Sequence, residues 1–220
     1  MLVPLSGDAI FLIFGTNWHG VASIEKRLPR ERYLMGFPLG GGTKRNGAYW
    51  VYLGAKVYLG EADGRPTEKL QRVKSLFAKA DIQSDILDNI LHALWTGHAV
   101  AVGLSAGLAQ SRDVASFLRN RALMTQGYYV TKEIFELCRL RGADPYKYPD
   151  RSALYKLPPW LSTIALQLYC AYDPGLKRIF AHLAETGDAK EIGAAILKTA
   201  EELKFDMPRL RAVGVHLQNV

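Results

Sequence analysis

The chain has 220 residues, of which 49% are hydrophobic and 22% charged, a balance typical of a folded globular protein rather than a disordered one. Lys and Arg outnumber Asp and Glu by 28 to 21. These basic residues are scattered, and the sequence shows neither the Cys/His spacing of a zinc site nor a basic stripe on one helix, so nucleic acid is not a predicted partner. Cys138 and Cys170 lie in apolar helical patterns and are predicted to be reduced core residues, which fits a cytoplasmic protein.

Two apolar segments bear on membrane association. Residues 1–15 have no positively charged leader and contain Asp8, so they make a poor signal peptide. Residues 89–111 carry no formal charge over a length that could cross a bilayer, but they include two histidines and many small residues. We therefore predict a central helix that is buried on all sides, and no membrane partner.

The first predicted element is the apolar run 9–14, which ends at Gly15 and is typical of a strand buried on both faces of a parallel sheet. Such a strand takes its neighbours from other βαβ units, and only eight residues precede it here, so we expect a sheet that lacks its beginning. An open sheet edge favours association, and a homodimer is the expected assembly.

A short helix near residues 21–28 leads to two predicted strands, 33–39 and 48–60. The glycines at 40–42 and the pair Asn46-Gly47 separate these strands, which we expect to be antiparallel and to extend the same sheet.

The rest of the chain has helical patterns. Thr67 is predicted to cap an amphipathic helix, and Ser84 is predicted to cap the long uncharged one. The apolar face of the first contains Leu70, Val73, Leu76, Phe77 and Ala80. The helices that follow are predicted at 84–110, 113–141, 158–171, 174–186, 188–204 and 208–218, with Gly142 and Gly187 ending two of them. The predicted boundary near Ala80 gives two domains, 1–80 and 81–220.

The long helix carries small residues at spacings of three and four, namely Ala99, Gly103, Ala106 and Gly107. Residues at this spacing share one face of a helix, so we predict that another helix approaches closely there.

Ligands of open α/β sheets bind beyond the carboxyl ends of the strands, which directs attention to the loop 15–20. In this loop Asn17 offers a donor and an acceptor, Trp18 a stacking surface and His19 a titratable group. The alternative is a turn that uses Asn and Gly only for its geometry.

Elsewhere His98 is either a hydrogen-bonded core residue or a site residue, and Glu191 is accounted for by the dipole at the start of its helix. We find no Gly-x-Gly-x-x-Gly, no phosphate-binding loop motif and no cluster of metal ligands, so no metal is expected.

The order of several features resembles the ketopantoate reductase family over nearly the whole chain. These features are a strand followed by Asn17, a sheet ending at residues 57–61, a helix that reaches Leu94-Trp95, and the later Lys190-Glu191-Ile192. The resemblance implies an α/β remnant of a Rossmann-type domain followed by an all-α domain of the 6-phosphogluconate dehydrogenase C-terminal type. It also implies reduction of a 2-oxo acid by NADPH, with the substrate in the cleft between the domains.

The resemblance assigns roles to two positions. Asn17 would contact the nicotinamide or the substrate, and Glu191 would hold a substrate hydroxyl or orient the acid. Members of the family place a Lys two residues after the Trp, where it acts as the general acid that protonates the carbonyl oxygen. Here that residue is Gly97.

The family's two helix asparagines correspond to Ala101 and Ser105, which implies a changed substrate contact at Ser105. An imidazolium can donate a proton and stabilise an alkoxide, so His98 is the candidate replacement for the lysine. One residue along a helix turns a side chain by about 100°, so this role for His98 requires a rotated helix or a different substrate pose.

Two functions follow from these patterns. One is a nicotinamide-dependent 2-oxo-acid reductase that needs its nucleotide-binding half to be supplied. The chain lacks the glycine-rich turn that holds the pyrophosphate. Its dissociation constant for NADPH is therefore expected to lie above the low micromolar range. The other is a non-catalytic helical dimerisation or interaction module.

Overall fold

The computed structural model describes residues 7, 9–15, 17–45, 47–185 and 188–217, without the side chains of 39, 41–45, 50, 52–55, 184, 185, 215 and 217. Asn46 and Gly187, a predicted turn residue and a predicted helix end, lie outside these residues. The chain forms two compact units, one of residues 1–41 with 53–94 and the other of 42–52 with 95–220. The domain boundary near Ala80 stays a prediction, and the unit that holds the sheet continues to residue 94.

The first unit contains most of a mixed sheet of four strands, of which residues 42–45 and 48–52 are assigned to the second unit. They are β1 (Phe11–Phe14), β2 (Tyr33–Arg45), β3 (Ala48–Gly60) and β4 (Gln83–Ile86), and they lie in that order across the sheet. The register of two parallel pairs is defined, with Phe11 opposite Tyr33 and Lys56 opposite Gln83. Since a two-residue connection can join only antiparallel strands, β2 and β3 form a hairpin.

The sheet departs from the sequence prediction in two places. β2 continues to Arg45 through the glycines at 40–42, where a break was expected. The predicted helix start at Ser84 is wrong, because Ser84 lies in β4 opposite Val57. The long helix, α3, spans Ile90–Leu108, and the Oδ1 of Asn89 accepts a bond of 3.1 Å from the backbone N–H of His92.

Two helices belong to the sheet unit, α1 (Ala22–Glu25) and α2 (Glu68–Lys79). Thr67 caps α2 as predicted, because its Oγ1 accepts from the N–H of Leu70 at 3.3 Å. Leu76 was predicted on the buried face but is 62% exposed. Val73, one turn before it, and Phe77, the next residue, cover the sheet instead, whereas Ala80 is exposed. The core contains Leu34, Leu59 and Leu70, surrounded by Ile10, Leu12, Val57, Val73, Phe77 and Ile86.

Apart from the strand residues within 42–52, the second unit is largely helical. Its helices are α4 (Val114–Arg119), α5 (Arg121–Leu140), α6 (Pro149–Ser152), α7 (Pro159–Tyr172), α8 (Pro174–Glu185), α9 (Asp188–Glu202) and α10 (Pro208–Leu217). The single helix predicted over 113–141 is two helices, because the Asn120 side chain accepts from the N–H groups of Ala122 and Leu123 and starts α5 afresh. Glu133 of α5 likewise accepts from Arg209 N and Leu210 N in the first turn of α10.

The predicted close approach on α3 is confirmed, and α5 is the partner. A Cβ built on Gly103 would lie 2.7 Å from the carbonyl oxygen of Gly127, and one built on Gly127 would lie 2.5 Å from the carbonyl oxygen of Gly103. One turn further along α3, a Cβ built on Gly107 would lie 2.5 Å from the Phe117 ring. The two backbones are therefore in contact, with no room for a side chain between them.

Cys138 and Cys170 are free and buried, as predicted. Burial raises the pKa of the Cys138 thiol to about 12 and that of the Cys170 thiol to about 11. Both therefore act as small apolar core residues in the second unit. Within the described ranges, no helix combines the length and the apolar character that a bilayer crossing requires.

Candidate functional site

The loop after β1 forms a reverse turn, in which the N–H of Gly20 bonds to the carbonyl oxygen of Asn17 at 3.0 Å. Asn17 has a φ of 41°, in the left-handed region that Asn tolerates better than most residues. Trp18 is only 3% exposed, so it packs in the core and does not offer the expected stacking surface, while His19 is exposed. The geometry of the turn alone therefore gives Asn17 a structural reason to be there.

The predicted residues of the second unit lie on two helices. His98 and Ser105 are seven residues apart on α3 and are 7% and 3% exposed. Seven residues are nearly two turns, so both side chains lie on the same buried side of α3. Ser105 Oγ has no hydrogen-bond partner within the described part of the chain. Glu191 lies in the first turn of α9 and is exposed, whereas the next residue, Ile192, is buried.

Gly97, which stands where the resemblance places a lysine, lies beside a cation from another helix. Among the described residues, a Cβ built on Gly97 would meet only Arg151, whose Cδ and Nε would both be 3.7 Å away. Arg151 lies on α6, its side chain is 7% exposed, and its Nε is 3.8 Å from Oδ2 of Asp150. The buried guanidinium of Arg151 therefore lies beside α3 at Gly97, the position that has no side chain.

A second arginine stands near the start of the same helix in a different setting. The Cζ of Arg141 lies 3.6 Å from the centroid of the Trp95 ring, a cation–π contact. Burial lowers the pKa of Arg141, but a guanidinium stays ionised near neutral pH. Residues 95 and 97 point to different sides of α3, so Arg141 and Arg151 lie on different faces of the helix.

The sheet unit holds a buried ionic group at the end of β3. Glu61 is 3% exposed, its Oε2 lies 3.2 Å from Nζ of Lys69, and its Oε1 accepts from the hydroxyl of Thr67. Lys69 Nζ also donates to the carbonyl oxygen of Arg30 at 2.6 Å. Each charge has partners within the unit, so this group is structural. In the ranges that the structure covers, no three or more His, Cys, Asp or Glu side chains are grouped to hold a metal.

Sequence reasoning did not single out Arg151. It follows Gly142 in a stretch of short turns and helices without apolar periodicity, and no motif surrounds it. Its burial and its contact with Gly97 distinguish it from the other arginines whose ion pairs the structure describes, and both depend on the folded structure. Of the predicted residues, the structure places His98 and Ser105 on one side of α3, Glu191 on α9, and Asn17 in the other compact unit.

The comparisons with known proteins bear on the fold. No family model and no curated protein matches the sequence. The structure is similar to D-mandelate dehydrogenase in complex with NADH (TM-score 0.70, 12% identity, 99% of this chain and 71% of that chain). It is also similar to the dimeric ketopantoate reductase from Staphylococcus aureus (TM-score 0.66, 12% identity, 96% of this chain and 67% of that chain).

A third similar structure is 2-dehydropantoate 2-reductase from Geobacter metallireducens GS-15 (TM-score 0.64, 16% identity, 90% of this chain and 64% of that chain). Across the similar structures, this chain spans between 57% and 71% of the other protein's length. The expected fold class is confirmed, since a small mixed sheet precedes a largely helical region. The chain has the fold of the ketopantoate reductases, over a part of their length that is consistent with their C-terminal part.

Proposed function

We propose that this chain is the substrate-binding part of a nicotinamide-dependent oxidoreductase that reduces a 2-oxo acid to a 2-hydroxy acid. The observation that carries the proposal is the fold, which matches reductases and dehydrogenases of 2-oxo and 2-hydroxy acids over nearly the whole chain. The reaction consumes one NAD(P)H and one proton for each carbonyl reduced. NADP is the cofactor that the resemblance implies.

The residues present account for only part of a cofactor site. The chain contains no Gly-x-Gly-x-x-Gly turn to hold a pyrophosphate, and Asn17 is the proposed contact for the nicotinamide end. The nucleotide would supply the hydride. This chain would supply contacts to the acid through Asn17, Ser105 and Glu191, and a proton to the carbonyl oxygen, for which His98 remains the proposed donor.

A chimeric protein tests this proposal. The nucleotide-binding part of the Geobacter metallireducens 2-dehydropantoate 2-reductase is joined ahead of residue 9, and NADPH oxidation is followed at its absorbance maximum with a panel of 2-oxo acids. We expect acid-dependent oxidation at least about tenfold above background, and none from the chain alone. Glu191→Gln should lower kcat/KM about 10- to 100-fold, as expected for one hydrogen bond to a charged group.

The matched control is Glu201→Gln on the same helix, where the side chain is 62% exposed and lies 3.5 Å from Arg211. This variant should keep the activity of the parent chimera. The proposal fails if the chimera binds NADPH at one equivalent, shown by fluorescence, yet no 2-oxo acid accelerates its oxidation.

The second candidate is a helical dimerisation module, and an apolar surface on α7 favours it. Trp160, Leu168, Tyr169 and Tyr172 are 65%, 66%, 54% and 88% exposed. Three of them recur at multiples of four along the helix, so they share one side of it. A patch of this kind is typical of a protein interface.

The oligomeric state tests this second function. Light scattering after gel filtration should give a mass of about twice 24.5 kDa for a dimer, and Leu168→Glu with Tyr172→Glu should return the monomer mass. A matched pair of charge reversals at two exposed positions of α10, Arg209→Glu with Arg211→Glu, should leave the dimer intact. A dimer that survives the α7 changes would exclude this surface, whereas a dimer that is lost would be compatible with either function.

A further inference from the structure

Tyr146 lies among three cations of the second unit. It belongs to the turn Pro145–Lys147, and its ring packs edge-on against the buried ring of Phe135 on α5, with the ring centroids 5.6 Å apart. Its hydroxyl donates to the backbone carbonyl oxygen of Tyr155 at 3.3 Å, and its backbone N–H donates to Oδ1 of Asp144 at 3.0 Å. These contacts hold the half-buried side chain of Tyr146 against α5.

The three cations come from different parts of the unit. Lys132 and Arg139 lie on α5, and Lys156 ends the turn Ala153–Lys156. The Nζ of Lys132 lies 5.0 Å, the Cζ of Arg139 5.3 Å and the Nζ of Lys156 5.7 Å from the centroid of the Tyr146 ring. Lys132 also donates to the Tyr146 hydroxyl. One tyrosine therefore brings together three positive charges that are distant along the chain.

Only one of these cations has an acidic partner within the described part of the chain. One NH group of Arg139 donates to both carboxylate oxygens of Glu136, at 3.0 and 3.1 Å. No carboxylate oxygen of the described residues lies within 4.0 Å of the Nζ of Lys132 or Lys156. Both ammonium groups lie close to the same ring, so the distance between them is at most the sum of their two ring distances. The two like charges repel each other, and a bound anion would offset that repulsion.

We propose that Lys132 and Lys156 bind a phosphate dianion beside the Tyr146 hydroxyl, either as free phosphate or as the phosphate group of a monoester. Two ammonium groups balance the charge of a phosphate group, which is about −1.5 to −2 at neutral pH. Ammonium groups on flexible stems can converge on a tetrahedral anion, whereas a planar carboxylate matches the fork of an arginine. The arginine of this cluster, Arg139, already pairs with Glu136.

The Tyr146 hydroxyl would give the anion a third contact. The bond from this hydroxyl to the carbonyl oxygen of Tyr155 is 3.3 Å long, whereas O–H···O bonds usually measure about 2.7–2.8 Å. The hydroxyl can therefore turn its proton toward an oxygen of phosphate at little cost. None of the residues of this site is among those proposed for the reductase, so the two proposals fail independently of each other.

NMR titration of the full 220-residue chain tests this site. The protein carries 15N in its backbone and 13C at the lysine ε carbons, and inorganic phosphate and methyl phosphate are added in separate titrations at low ionic strength. The ε-carbon signals of Lys132 and Lys156 and the amide signal of Tyr146 should shift together and saturate. The probe that binds more tightly identifies free phosphate or a monoester as the ligand. Lys132→Met and Lys156→Met should each weaken binding about 10- to 100-fold, as expected when a charge-assisted hydrogen bond is lost.

Two controls separate a defined site from the general positive charge of the chain. Lys198→Met removes an exposed lysine of α9 and should leave the affinity unchanged. Dimethyl phosphate, which carries one negative charge, should bind at least about tenfold more weakly than methyl phosphate.

The proposal is overturned if the three signals do not shift in the wild-type chain, or if either Lys132→Met or Lys156→Met binds as tightly as wild type. It is also overturned if Lys198→Met weakens binding as much as these two variants, or if dimethyl phosphate binds as tightly as methyl phosphate. Should Lys132→Met fail to fold, Lys156→Met, which changes an exposed side chain, still decides the question.

Discussion

Gly103→Ala should lower the free energy of unfolding by about 2 kcal/mol, although alanine is the better helix former. The added Cβ would lie 2.7 Å from the carbonyl oxygen of Gly127 and still closer to the hydroxyl of Thr131. A side chain could rotate away, but the Gly127 carbonyl is part of the α5 backbone, so relief requires the two helices to separate. That separation would loosen the packing of the buried residues on both helices.

Gly97→Ala on the same helix is the matched control. Its Cβ would meet only Arg151 among the described residues, at the ordinary contact distance of 3.7 Å, so the variant should gain about 0.5–1 kcal/mol from helix propensity. Urea denaturation followed by circular dichroism measures both variants. If Gly103→Ala were as stable as wild type, the close contact of α3 with α5 would be wrong.

Local signals account for the parts of the fold that could be predicted. The side chain of Thr67 bonds to an N–H three residues later, and the glycines of α3 allow close packing wherever a partner helix lies. β4 carries no such signal. Its sequence, Gln-Ser-Asp-Ile, lacks both apolar alternation and β-branched enrichment, and it is a strand because β3 lies beside it. The break at Asn120 was missed because apolar spacing continues across it.

The candidate site also depends on a residue that no local sequence signal identified. The resemblance identified Gly97 as a position that had lost a charge, and it directed the search for a replacement to His98, the neighbour in sequence. In the structure a cation does lie beside Gly97, but it comes from Arg151, more than fifty residues away along the chain. A compensating charge depends on distance in space, and spacing along one helix contains no information about a side chain that another element supplies.

Glu61→Ala should cost about 3 kcal/mol of unfolding free energy, the largest effect that we expect from a single change in the sheet unit. The carboxylate is 3% exposed and accepts from Thr67, while Lys69, which lies 3.2 Å from it, is 13% exposed. Removing Glu61 leaves a largely buried ammonium that, among the described residues, donates to the neutral carbonyl oxygen of Arg30. Breaking a buried pair from one side is costly because the other charge stays behind.

The double variant separates this loss from simple loss of packing. With Lys69→Met present, Glu61→Ala should cost at least about 1 kcal/mol less than it does alone, because no ammonium then remains uncompensated. Glu68→Ala, which removes an exposed acid one residue before Lys69, should change stability by less than about 1 kcal/mol. Additive effects of Glu61→Ala and Lys69→Met in urea denaturation would mean that the pair contributes no coupling, and that Glu61 acts only through its bond to Thr67 and so through the cap of α2.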